Sequence, residues 1–162
     1  LTGANASKKN LKLSLDKTFE RVAFATHSLP PFWNGISNQN SLVMADQDGD
    51  YLLFPVEIID LKINSEIVVL SSCNTENQGS ENLYKSFLIA GSNSVMYSNW
   101  ALETLSAAEV TEEVFKRMLV DEESLHVALK KASVDLMEDK TKKGFFAHPA
   151  LWANFSIAYR NL

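Results

Sequence analysis

The chain has 162 residues, 46% of them apolar and 22% charged, with a formal net charge of -5 and a single cysteine. That is the size of one domain with one sizeable core. The mild acidity excludes a nucleic-acid platform, which gathers basic residues on one face to meet phosphates. One cysteine excludes an internal disulfide, and no apolar run approaches the roughly 18 residues of a membrane span.

In chain order, the pairs Lys8-Lys9 and, later, Lys140 to Lys143 stand beside turn residues and are expected to be solvated loops. No basic start followed by an apolar stretch marks a secretory signal. The first strand is predicted over 21–26, where β-branched and aromatic residues crowd without clean alternation, and it ends at His27. A turn-rich segment, 28–40, follows.

Residues 41–45 and 51–54 flank Asp46-Gln47-Asp48-Gly49-Asp50 and predict a β-hairpin with a Gly-containing turn. Asp46, Asp48, Asp50 and Glu57 also fall on calcium-loop positions 1, 3, 5 and 12. Tyr51, however, stands where such loops reserve glycine. The hairpin is the better reading.

A second buried strand is predicted over 66–71 and runs into Cys73. Ser80 is placed to cap a helix reaching Ala90, with Gly91 ending it. A third strand follows over 94–98. Ser106-Ala107-Ala108-Glu109 has the form of a capping box, opening a helix with the stripe Val110, Val114, Phe115, Met118. Leu125, Ala128, Leu129, Ala132 and Leu136 form a second stripe, and a last strand is predicted over 154–159. Strands alternating with helices of this length predict a three-layer α/β/α sandwich around a mostly parallel sheet.

Cys73 and His27 each close a buried strand, and open α/β folds place their sites at that edge. Taken alone, Cys73 reads first as a small buried apolar residue, as free cysteines often are. His27 changes the reading. On adjacent parallel strands the two side chains emerge at one edge, and a thiol needs such a base to become a nucleophile at neutral pH. His126, on a helix beside Leu125, and His148, before Pro149, are expected to be structural. No second cysteine or local histidine pair offers metal-ligand spacing, so neither metal nor organic cofactor is expected.

Five segments in order resemble the signatures of the CHAT domain, a caspase-related domain found with tetratricopeptide repeats. They are Ala25-Thr26-His27-Ser28; Val69-Leu70-Ser71-Ser72-Cys73-Asn74-Thr75; Phe87-Leu88-Ile89-Ala90-Gly91-Ser92-Asn93-Ser94-Val95; Ser98-Asn99-Trp100; and His148-Pro149-Ala150-Leu151-Trp152-Ala153-Asn154-Phe155. The resemblance spans nearly the whole chain. It implies a caspase-like sheet, a His27-Cys73 dyad and a prokaryotic cytoplasmic setting, the last in keeping with the absence of disulfides. It also implies one domain over 1–162 whose first strand and helix precede Leu1, which fits a chain that starts without methionine. The family's histidine is usually followed by glycine, whereas this chain has Ser28. The glycine-rich loop after the cysteine is reduced to Asn77-Gln78-Gly79-Ser80-Glu81.

On this resemblance the chain is expected to be a cysteine endopeptidase acting on a protein substrate. The backbone N–H groups of Ser28 and Cys73 would hold the oxyanion. A pocket near Ser71, Asn99, Trp100 and Glu103 would receive the residue before the cut, with Glu103 favouring Lys or Arg. Glu103 has a second reading, as the cap of the helix that follows. Expected partners are an upstream tetratricopeptide-repeat region or a regulatory complex, such as an RNA-guided defence assembly. Ser28 and the single loop glycine favour an alternative of another class, a catalytically silent interaction module.

Overall fold

Residues branched at Cβ fit a pleated surface, and the central sheet forms where they cluster. The computed structural model describes residues 1–15, 17–32, 38–73, 83–138 and 148–160. After a 3-10 turn, Gly3–Asn5, the chain forms α1 (Lys8–Leu15), β1 (Arg21–Ala25), β2 (Ser28–Leu29), β3 (Ser41–Val43) and β4 (Leu52–Leu53). Next come α2 (Pro55–Asp60), β5 (Ile67–Ser71), α3 (Leu83–Ile89) and β6 (Ser94–Ser98). The chain continues with α4 (Thr104–Leu119), α5 (Leu125–Glu138), α6 (Pro149–Trp152) and β7 (Phe155–Tyr159).

The main sheet has the order β1-β5-β6-β7. The first three strands are parallel and β7 runs antiparallel to β6. Successive side chains on a strand point to opposite faces, so β5 and β6 each feed two cores. Ile67, Val69, Met96 and Phe155 pack against the stripes of α4 and α5. Val68, Leu70, Val95 and Phe24 pack against Leu11 of α1, Ile58 of α2, and Leu83 and Phe87 of α3. Full burial of each such side chain stabilises the fold by about 1.5–3 kcal/mol. The result is the expected three-layer α/β/α sandwich with a mostly parallel sheet.

The predicted hairpin is present but larger than expected. β2, β3 and β4 form a three-stranded antiparallel sheet, whose Leu42 and Leu53 enter the α1–α3 core. At its tip Asp46 Oδ1 accepts the Gly49 N–H at 2.8 Å, and Asp48 and Gly49 take positive φ. Of the calcium-type carboxylates, Asp50 and Glu57 do converge, but on a lysine: Lys8 Nζ lies 2.6 Å from Asp50 and 2.5 Å from Glu57. It also donates to the Leu52 carbonyl at 3.0 Å.

This corrects the expectation for Lys8. It opens α1 and is only 7% exposed. Burial by itself would push its pKa down, yet the hydrogen bonds and charges of Asp50 and Glu57 outweigh that and raise it above the usual 10.5. A buried cation is tolerable only with such partners. Lys140 to Lys143, the Ser80 cap and the loop 77–81 lie outside the described residues.

A second correction concerns α4. Its cap is Glu103, whose carboxylate accepts the N–H groups of Leu105 at 3.1 Å and Ser106 at 2.8 Å. Ser106 lies inside the helix and donates its hydroxyl to the Glu103 carbonyl. The reading from Ser106 placed the cap three residues late.

Gly91 closes α3 as expected. Ser92 N–H reaches the Phe87 carbonyl at 3.1 Å and Gly91 N–H reaches that of Leu88 at 3.2 Å, the Schellman pattern. Its φ is +118°, and a Cβ there would stand 2.9 Å from both the Ile63 carbonyl oxygen and Asn64 Oδ1. Gly91→Ala is therefore expected to destabilise the domain by about 1–3 kcal/mol. Chemical denaturation checks this, and an unchanged midpoint would show that the turn relaxes freely.

Candidate functional site

β1 and β5 are adjacent and parallel, with Ala25 opposite Ser71. The register offset equals the interval between His27 and Cys73, so both residues stand two positions beyond the last pair, at the carboxyl edge of the sheet. His27 is exposed and Cys73 half-buried. The segments that carry them touch directly, because the Ser28 hydroxyl donates to the Cys73 carbonyl.

The His27 segment is anchored on its other side by the small sheet. Val43 N–H donates to the His27 carbonyl at 2.8 Å, and Thr26 Oγ1 donates to the Val43 carbonyl at 2.5 Å. His27–Val43 is thus a hydrogen-bonded antiparallel pair, and Ser28–Leu42, next in register, is the non-bonded kind. That alternation turns the Ser28 N–H away from β3.

The third part of the edge follows β6. Asn99 N–H donates to both the carbonyl and Oδ1 of Asn154, at 2.9 and 3.1 Å, and Trp100 N–H donates to the same Oδ1 at 3.2 Å. Asn154 returns its amide to the carbonyls of Trp100 and Ala101. Asn99 Nδ2 holds Ser156 Oγ at 2.9 Å, and Trp100 Nε1 holds the Ala150 carbonyl at 3.1 Å. Ser71 closes β5 beside this turn. Asn154, 1% exposed, is a residue that sequence reasoning passed over. It stood in the last strand and in the fifth signature segment, with no sign of this turn.

Glu103 stands just past this turn with its carboxylate engaged as the α4 cap. The N–H groups of Ser106 first, and then Leu105, hold its pKa below the usual 4.5. His148 caps α6 by accepting the Ala150 N–H at 3.1 Å, and exposed His126 meets Ser124 Oγ at 3.3 Å. Among the described residues no group of acidic, histidine or cysteine side chains has the arrangement to hold a metal ion. A groove of about 630 Å3 runs along the outer edge of β1, lined by residues such as Leu11, Phe19, Phe24 and Met44. It extends to Thr26, and neither His27 nor Cys73 lines it.

Three neighbouring strand ends thus carry a histidine, a cysteine and an asparagine-bound turn. The CHAT domain model matches residues 1–161. The chain belongs to the CHAT domain family. That family is related to the caspase-like cysteine peptidases, in keeping with the mostly parallel sheet flanked by helices. No curated protein matches the chain. No helix among the described residues of this CHAT domain is long and apolar enough to cross a membrane.

The Glu103 cap generates a pH-dependent expectation. A carboxylate whose pKa is lower in the folded state stabilises above its unfolded value, and that contribution is lost as pH falls through the folded pKa. Glu103→Ala should cost about 1 kcal/mol at neutral pH. The gap from the parent should close as pH drops below 4.5. Thermal melts across this range check it, and a gap independent of pH would deny the carboxylate its part.

Proposed function

We propose that this CHAT domain is a cysteine endopeptidase in which Cys73 is the nucleophile and His27 its proton-transfer partner. The observation that carries the reading is the Ser28–Cys73 contact. It ties the residue beside the imidazole to the backbone of the cysteine, at the end of two adjacent parallel strands.

Transfer of the Cys73 proton to the His27 imidazole leaves a thiolate. Its sulfur attacks the scissile carbonyl carbon, forming a C–S bond and moving the π pair onto oxygen. The N–H groups of Cys73 and Ser28 stabilise that oxyanion. Collapse re-forms the C=O and breaks the C–N bond, and the departing nitrogen takes the proton from His27 as it leaves as an amine. Water then adds to the thioester while His27 accepts its proton. The second collapse breaks the C–S bond, releasing the carboxylic acid, and the sulfur recovers the proton.

The substrate in this reading is a protein. Control rests with an upstream tetratricopeptide-repeat region or a larger regulatory complex, an RNA-guided assembly included. The single cysteine suits a reducing, cytoplasmic setting. Ser71, Asn99 and Trp100 border the pocket for the residue before the cut. Glu103, although it serves as a cap, carries negative charge beside it.

Cys73→Ala should lower peptide cleavage more than about 1000-fold while the domain stays folded. Retained cleavage would refute the assignment. A thiol-reactive peptide probe that leaves Cys73 unlabelled in the parent would favour a silent interaction module instead. The pocket is tested separately: peptides with Lys or Arg before the cut should react about tenfold faster than their Glu counterparts, a difference of about 1.4 kcal/mol. Equal rates would remove Glu103 from specificity.

A further inference from the structure

The peptide units on either side of Cys73 are each held by a serine hydroxyl from a flanking segment. Ser98, the last residue of β6 and fully buried, donates its hydroxyl to the Ser72 carbonyl. Ser28, on the opposite side, donates to the Cys73 carbonyl. Because β5 lies between β1 and β6, these carbonyls point in opposite directions, which continues the alternation of a parallel strand beyond its last ladder bond.

Ser98 occupies a place where the backbone cannot do this work. The β5–β6 pairing reaches only Val69 and Met96, although both strands continue for two residues more. The donor that would continue the series begun by the Ser94 N–H on the Glu66 carbonyl is the Trp100 N–H, and Asn154 Oδ1 takes it. A side-chain hydroxyl replaces the ladder bond at the Ser72 carbonyl.

This has a consequence for Cys73. In a trans peptide the C=O of one residue and the N–H of the next point opposite ways in one rigid plane. Holding the Ser72 carbonyl toward β6 therefore turns the Cys73 N–H toward the β1 side, where Ser28 stands. We propose that Ser98 is a positioning residue for the oxyanion hole: its buried hydroxyl fixes the Ser72–Cys73 peptide plane and aims the Cys73 N–H at the carbonyl oxygen of the bound peptide. The inference rests on the peptidase reading above and assigns Ser98 no contact with substrate.

The test compares two reactions of the same sulfur in the whole chain. Hydrolysis of a peptide with a basic residue before the cut develops an oxyanion. Alkylation by iodoacetamide, in which the sulfur displaces iodide from carbon, develops none. Loss of one oxyanion donor costs about 100–1000-fold, so loss of its alignment in Ser98→Ala should lower kcat by about 10–100-fold with KM within about twofold. The alkylation rate should be unchanged, and Ser98→Thr, which keeps a hydroxyl, should recover most of kcat. If Ser98→Ala does not fold, the near-isosteric Ser98→Cys, a weak donor, is assayed against the same pair of reactions, with alkylation counted at Cys73 alone by peptide mapping. A kcat equal to the parent's would overturn the role of Ser98 alone, and so would hydrolysis and alkylation falling together. A parent that hydrolyses no peptide would overturn the peptidase reading and this inference with it.

Discussion

The register between β1 and β5 is the constraint on which the candidate site depends. Parallel pairing with Ala25 opposite Ser71 is fixed by which faces of the two strands are buried, since a slip of one residue would turn every side chain to the other core. Val68 and Leu70 belong to the α1–α3 side, and Ile67 and Val69 to the α4–α5 side. On β1 only Phe24 is buried, on the α1–α3 side, and a slip would put exposed Ala23 or Ala25 in its place. The hydrophobic division of the strands thus sets the level at which His27 and Cys73 leave the sheet, without any direct bond between them having to do so.

Beyond that level the backbone ladder stops and short polar side chains continue its work. Thr26, Ser28 and Ser98 each place a hydroxyl on a backbone carbonyl, and Asn154 serves the turn after β6. Buried carbonyls left without partners are costly, so these bonds are needed for stability whatever the chemistry. They also restrict how far the three strand ends can shift relative to one another.

Much of this was legible from the residues, and the reason is physical. Strands buried on both faces must be apolar throughout, so 67–71 and 94–98 announce themselves, and the helix stripes of α4 and α5 repeat at the helical period. His27 and Cys73 could be placed at strand ends for the same reason. What stayed hidden depends on partners distant in sequence. β2 is two residues long and exists because β3 lies beside it. Lys8 resembled a surface residue because its two carboxylates arrive from residues 50 and 57. Ser106 fitted a capping pattern, yet Glu103 reached the first-turn N–H groups from a position that suited the incoming chain better. Ser98 and Asn154 carried no local signal of their bonds, which are decided by where neighbouring strands end.

The amino-terminal helix is wired into this region at two points. Lys8 is gripped by the turn and by α2, and the Ala6 carbonyl accepts the N–H of Ala45, two residues past the one that holds the His27 carbonyl. The imidazole's backbone is thereby surveyed from the start of the chain as well as from the sheet. Tugging on α1 would travel through a few short, stiff links to His27 before it reached Cys73, so the two residues hang from different supports.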